Sequence, residues 1–383
     1  MLEAELLAIE DLNAKGGLLG RPVRAVVADG RSDPQTFARQ AERLISDVKV
    51  SVLIGCWTSE ARKAVRPVVE ETKHLLIYPP KYEGLEESPN IVYVGGPTNQ
   101  QLVPAVSWCR DAHKARKFFL IGSDSLLSRS MSAVMKDQLS ALQAELVGEI
   151  YLNGGAGAGS RGDESGVRRN DVIEAVDRIA QAAPDLVLST VNGPDSLAFY
   201  GRMRHAGLTP EKMPVVSFSL DAEAIRRLPI SDVAGQYAAW NYFEAIDRRE
   251  NREFLARIKK KVGTDRSIGD HFQIAYQSVL VWAETVDDVM TDDVQMVNRQ
   301  ILRQSVKAPE GIITIDFDTR HGWRPFYLGK VLPNGQFEIV WSIARSIRPV
   351  PYPSSRTRAE WDAVVDDLML RKRQEALPRP EHP

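Results

Sequence analysis

Catalysis needs reactive side chains within reach of one another, so the histidines, cysteines and serines come first. The 6 histidines, at positions 74, 113, 205, 271, 321 and 382, are dispersed, and no two stand at helical metal-ligand spacing. Ser123-Asp124-Ser125 follows an apolar run but lacks the Gly-x-Ser-x-Gly frame of a nucleophile elbow. No Walker loop is present. Gly155-Ala156-Gly157-Ala158-Gly159 is glycine-rich like a dinucleotide loop, but polar residues follow where an apolar helix is required. Arg161-Gly162-Asp163 lies in the same stretch and reads as chance. The 2 cysteines exclude a zinc site built from cysteine alone. Cys56 follows a strand and Cys109 lies inside a helix pattern, which argues against a disulfide. No acid–base pair has a recognisable spacing. The chemistry left is binding, with no cofactor and no metal.

Binding chemistry is concentrated in the turns that follow apolar runs. Trp57-Thr58-Ser59 comes after Val50–Ile54 and before a helix pattern, so its hydroxyls and free backbone N–H groups can meet a carbonyl or carboxylate oxygen. Trp57 can form an apolar wall, and Thr58 or Ser59 also serves as an N-cap. Tyr78-Pro79-Pro80-Lys81-Tyr82-Glu83-Gly84 is stiff, aromatic and polar at once, and reads equally as a structural turn or a binding wall. Val191-Asn192-Gly193 follows another run, and Gly193 permits close backbone approach. Ser123, Ser125 and Ser219 occupy comparable edges. Trp240, beside Tyr237, Asn241 and Tyr242, fits hinge packing better than ligand contact, and stays on the list of candidates.

These turns need a scaffold of alternating strands and helices. Leu2, Leu6, Ile9 and Leu12 recur at helical spacing up to Gly16-Gly17. Val23–Val27 reads as a strand, Asp33-Pro34 opens a helix, and Val50–Ile54 suits a strand buried on both faces. A helix from about Glu60 contains Pro67, which should kink or shorten it. Strands follow at Leu75–Tyr78 and Ile91–Val94, then a helix over Gln100–His113. The alternation restarts with strand Phe118–Ile121, helix Ser130–Leu142 and strand Glu145–Tyr151. After a low-complexity loop at Gly154–Gly166 come helix Val172–Ala182, strand Asp185–Thr190, helix Asp195–Ala206 and strand Val215–Phe218. Val233–Phe243 looks extended, and Arg248 to about Gln304 is mostly helical. Short strands close the body near Ile312–Ile315, Phe326–Val331 and Phe337–Trp341. Arg348-Pro349-Val350-Pro351-Tyr352-Pro353 is extended. Trp361, Val364, Val365 and Leu368 then mark a helix, either docked on the body or leading to a partner.

Such alternation predicts an α/β fold of two doubly wound parallel-sheet lobes, with ligands at the carboxyl ends of the strands. The 383 residues exceed what one compact core usually holds. The expected division is 1–116 with 244–316 for the first lobe, 117–243 with 317–345 for the second, and 346–383 as a tail with a short helix. A net charge of −2, spread along the chain, argues against a nucleic-acid surface. No apolar run approaches a membrane span. Met1 opens directly into a helix pattern with no signal-peptide pattern, so a cytoplasmic location stays open.

The series Gly55-Cys56-Trp57-Thr58-Ser59, Arg62-Lys63-Ala64-Val65, Tyr82-Glu83-Gly84, Ser88-Pro89-Asn90-Ile91, Asn99-Gln100-Gln101, Gly122-Ser123-Asp124, Thr190-Val191-Asn192-Gly193, Ala238-Ala239-Trp240-Asn241-Tyr242-Phe243, Ala308-Pro309-Glu310-Gly311 and Ile347-Arg348-Pro349 resembles the urea- and short-amide-binding proteins of the type I periplasmic-binding family. These matches run collinearly from Met1 to about Pro353. The resemblance implies a receptor that closes on a small polar solute of urea, amide or amino-acid type, outside the cytoplasm, for an ABC permease. A ligand-sensing domain with a signalling partner is the alternative, and a homodimer is compatible with either. It also implies that Trp57, Ser59, Tyr78, Ser125, Asn192 and Gly193 face the cleft.

The chain departs from that pattern in three places. Ser125, Leu127 and Ser128 stand where the family has Tyr, a second aromatic residue and Pro, which should widen the pocket. Pro80 stands where the amide sensor has a threonine. The family's first strand and its Ser/Thr-Gly ligand loop have no counterpart. Val23–Val27 and Val50–Ile54 should then leave backbone groups unpaired, and the sequence is expected to be trimmed or mis-started.

Overall fold

The computed structural model describes residues 1–152 and 169–375. The glycine-rich loop and the Arg161-Gly162-Asp163 motif lie outside the described residues.

The chain begins with helices α1 (Leu2–Ala14) and α2 (Pro34–Ser46), strand β1 (Leu53–Ile54), α3 (Ser59–Glu71), β2 (Leu76–Tyr78), β3 (Ile91–Tyr93) and α4 (Leu102–Ala112). Next come β4 (Lys117–Ser123), α5 (Leu126–Ala141), β5 (Glu145–Leu152), α6 (Arg169–Ala182), β6 (Leu186–Thr190), α7 (Pro194–His205) and β7 (Val215–Ser217). The one-turn helices α8 (Ala222–Ile225) and α9 (Ile230–Val233) lead to β8 (Tyr237–Trp240). A helical return follows in α10 (Arg249–Val262), α11 (Asp270–Val289) and α12 (Val294–Gln300). The late strands are β9 (Ser305–Ala308), β10 (Gly311–Thr314), β11 (Arg324–Val331) and β12 (Phe337–Ile347), and α13 (Arg358–Glu375) ends the described chain.

The strands form a three-stranded sheet, a seven-stranded sheet and a two-stranded pair. β1, β2 and β3 make a parallel sheet in that order. The larger sheet runs β12-β11-β8-β7-β6-β4-β5, parallel except where β11 meets β8 and β12. β9 and β10 form a separate antiparallel pair. Phe118, Leu120, Leu186, Leu188 and Val216 are fully buried, which is why these strands read as continuous apolar runs.

Several expectations change. Val23–Val27 is not a strand: residues 22–30 pair with no neighbour, and Val26 and Val27 are exposed. A β-branched run becomes a strand only where another backbone meets its N–H and C=O groups, and here only the Asn13 side chain does so, at Val23. Val50–Ile54 shortens to Leu53–Ile54 for the same reason, since β1 pairs with β2 alone. Of the two effects expected of Pro67, shortening is not seen: α3 runs 13 residues through it. α5 starts earlier than Ser130 because the Ser125 hydroxyl caps it, accepting from Ser128 N at 3.1 Å. Within Val233–Phe243 only Tyr237–Trp240 is a strand.

Of the two readings of the tail, docking is the one seen. α13 packs on α5, with the Trp361 ring fully buried and its indole N–H donating to Pro353 O at 2.8 Å. Arg356 grips Asp137 of α5 with two bonds, at 2.8 and 2.7 Å. Cys56 and Cys109 are both free thiols.

Candidate functional site

The carboxyl ends of β1, β2, β4, β6 and β7 open onto one cleft of about 660 Å³. Trp57, Thr58, Ser59, Tyr78 and Pro80 line it from the first sheet, and Ser125, Asn192, Gly193 and Ser219 from the second. The N-termini of α3, α5, α7 and the one-turn α8 lie along it.

The first wall begins with a sharp turn. Gly55 has φ +141 and Cys56 φ +63, so the chain reverses out of β1 and presents Trp57 at 53% exposure. Burial pushes the Cys56 thiol up to about 12. Thr58 is the N-cap of α3, its hydroxyl accepting from Ala61 N at 3.1 Å. Ser59 donates its hydroxyl to Glu83 Oε2 at 2.5 Å, so that proton is already committed. Tyr78 donates to Trp57 O at 3.2 Å, bracing the turn.

Beneath this wall lies a buried ionic cage. Arg62 donates to Glu86 Oε1 at 2.8 Å and to Glu83 Oε1 at 2.9 Å, and Lys63 reaches Glu86 Oε2 at 2.9 Å. Tyr82, Tyr93 and His321 stack against it. Burial opposes the Glu86 charge, but Arg62 and Lys63 outweigh it and hold the carboxyl well below its usual range. Burial drives His321 down to about 3, so the imidazole is neutral.

The second wall is made of helix caps. Ser125 caps α5. Gly193 caps α7 at φ +59, ψ −142, a conformation closed to most other residues, and Pro194 follows at the first helical position. Asp221 caps α8, accepting from Ala224 N at 2.8 Å, and its other oxygen meets His271 Nδ1 at 3.0 Å. Burial works against the Asp221 charge, and the His271 hydrogen bond and backbone N–H groups overcome it, leaving its pKa lowered.

Tyr82, Ser123 and Trp240 do not line the cleft. The Tyr82 hydroxyl lies within the cage, against His321 Nε2 and Glu86 O. The residue before it, Lys81, lines the cleft beside Pro80. Ser123 donates to Asp195 Oδ2 at 2.6 Å and is 8% exposed. Trp240 is buried behind His271, its indole N–H donating to Leu220 O at 2.9 Å.

Asp221 and His271 are not among the residues the sequence singles out, and Lys81 enters there only as part of the Tyr78–Gly84 turn. Asp221 was within reach, since it follows β7 as Thr58 follows β1. His271 comes from α11 and carries no local signal, yet its ring lies 4.8 Å from Trp57 and 5.0 Å from Trp240. Among the described residues no group of His, Cys, Asp and Glu could hold a metal ion. No helix among them is long and apolar enough to cross a membrane.

Comparison with known proteins bears on the family and the fold. The chain is 30% identical over 134 residues to a limonene hydroxylase of Geobacillus stearothermophilus, covering 35% of this chain and 24% of that protein. It is 24% identical over 214 residues to an amino acid binding protein of Pseudomonas aeruginosa, covering 54% of this chain and 52% of that protein. The chain thus spans about a quarter and about half of these curated relatives. A solved solute-binding protein of an ABC transporter from Rhodopseudomonas palustris BisB5, in complex with 3,4-dihydroxybenzoic acid, superposes with a TM-score of 0.77 at 20% identity. That alignment covers 89% of this chain and 91% of the other, and shows a shared fold. The family profile described as a periplasmic binding protein domain matches residues 1–358, and on that match the chain belongs to this family of binding proteins rather than to an enzyme family.

Proposed function

We propose that the protein is a solute receptor that closes its two lobes on a small organic molecule and hands it, outside the cytoplasm, to an ABC permease. The observation that carries this reading is the cleft of about 660 Å³ where strand ends of both sheets and several helix N-termini meet. Ligand pockets for compact organic molecules typically run ~300–1,000 Å³. Urea and short amides, which the sequence resemblance favoured, would leave most of that space to water. A solute of amino-acid or aromatic-acid size fills it better. The amino acid binding protein and the dihydroxybenzoate complex among the similar proteins support solutes of that size. Thr58, Ser125, Asn192, Gly193 and Ser219 would supply polar contacts, with Trp57 and Pro80 as the apolar wall.

Closure follows if the ligand binds the closed state better than the open one. Thermal unfolding and titration calorimetry against amino acids, hydroxybenzoates, urea and acetamide test this. A true ligand at 100 times its Kd adds about 2.7 kcal/mol of stability, and small-angle scattering should show the lobes drawing together. Tight binding of urea or acetamide, with no response to the larger solutes, would reject the size argument.

A further inference from the structure

The charged side chains of the cleft are Glu60, Lys81, Asp221, Glu223 and Arg227, with His271 beside them. All but Lys81 have partners of opposite charge or a direct hydrogen bond. Glu60 pairs with Lys372 of α13. Glu223 holds Arg226 at 3.1 Å and Arg227 at 3.2 Å, and Asp221 holds His271. Lys81 is 7% exposed, and among the described residues its Nζ has no hydrogen-bond partner. It rests 5.1 Å from the Trp240 ring centroid. The titratable groups that face it are Asp270, Asp221 and Glu83. Asp221 is held by His271 and Glu83 by Arg62, while Asp270 meets Arg324, shared with Glu310, through one oxygen and its second has no hydrogen-bond partner among the described residues.

A buried ammonium without a partner is unfavourable until a negative group joins it. The N-termini of α3, α5 and α7 open to the same space and add positive potential. A lysine without a hydrogen-bond partner among the described residues matches a carboxylate, and the large apolar surface of Trp57, Leu127, Leu197 and Leu228 matches an organic body. We propose that Lys81 is the specificity-determining residue of the cleft and seats the carboxylate of an organic monoanion. This rests on the cleft being the solute site. It makes a carboxylic acid the ligand and its neutral amide a poor substitute.

The test uses matched pairs on the whole chain: benzoate with benzamide, 4-hydroxybenzoate with 4-hydroxybenzamide, and leucine with leucinamide. Calorimetry on the wild type, K81M and K81R should show at least one acid bound about 30-fold tighter than its amide. K81M should lose that factor for the acid and leave the amide unchanged, and K81R should keep most of it. Burial holds the free lysine at about 8. Acid affinity in the wild type should therefore fall by up to tenfold per pH unit above about pH 8, where the free lysine loses its proton, and level off above the lysine pKa in the complex, while K81R stays flat to pH 10. A merely structural lysine would alter folding without moving the acid-to-amide ratio. An amide that binds as well as its acid, or K81M with undiminished acid affinity, overturns the assignment and leaves the receptor intact. Failure of both members of every pair to bind would remove the receptor reading for these solutes, and this assignment with it.

Discussion

Two buried cations lie on either side of the first wall, and they are opposites. Arg62 is fully buried in the cage, where Glu83, Glu86, Tyr78 and Tyr82 surround its guanidinium. Lys81, nearly as buried at the cleft, has no hydrogen-bond partner among the described residues. Burial alone therefore says little about a charged residue's role. A cation whose partners are all protein groups holds the scaffold, whereas one whose partner is missing marks where something else is meant to sit. The cage fixes the turn that presents Trp57, through Ser59 on Glu83 and Tyr78 on Trp57 O.

The sharpest way to break this contrast is to delete each cation in turn. Arg62→Met leaves Glu83 and Glu86 buried without their main counter-charge, and should cost about 3–5 kcal/mol in urea unfolding. A loss under about 1 kcal/mol would mean the cage does not hold the wall. Lys81→Met should act in the other direction on the ligand-free protein. Its pKa falls from 10.5 in the unfolded chain to about 8 in the fold, so removing it should add on the order of 1–3 kcal/mol at pH 7. Between about pH 8 and 10.5 the unfolded chain binds more protons than the native one at this site. Stability of the wild type should therefore rise across that window, and the Lys81 part of the rise should vanish in K81M. Urea midpoints from pH 7 to 10.5 on both proteins measure it.

The same contrast explains what was readable beforehand. Trp57, Thr58 and Ser59 could be placed because a buried strand, a turn and a capped helix are all local patterns, and the parallel sheet puts such turns on one rim. Tyr82 could not be placed correctly, since its direction depends on how the chain leaves Pro79-Pro80, and a one-residue error swaps cleft for core. The cage was invisible because Arg62 meets Glu83 and Glu86 only after α3 folds over β2 and β3. His271 is further still, brought to Trp57 by a helix more than two hundred residues along the chain. Val23–Val27 shows the reverse error: strong strand propensity, realised only if a neighbouring backbone is there to pair with it.

Smaller effects separate the two walls themselves. The first is braced by side chains, the second by backbone geometry at helix caps. Gly193→Ala puts a Cβ on a residue at φ +59, ψ −142, and should cost about 1–3 kcal/mol although no atom lies near enough to clash. Thr58→Ala and Ser125→Ala each remove one capping acceptor, from α3 and α5, and should each cost about 1 kcal/mol. The caps differ in what lies behind them. α3 keeps its position through Arg62 in the cage, so loss of the Thr58 hydroxyl should leave the rest of the first wall in place. α5 has α13 packed along it, with Arg356 on Asp137, and its first turn bonds α3 through Leu126 N, 3.4 Å from Glu60 Oε1. Ser125→Ala should therefore fray that turn, and amide exchange at 126–129 should rise more than at 59–62 in Thr58→Ala. Equal exchange at the two helix starts would show that the cage stiffens nothing beyond its own residues.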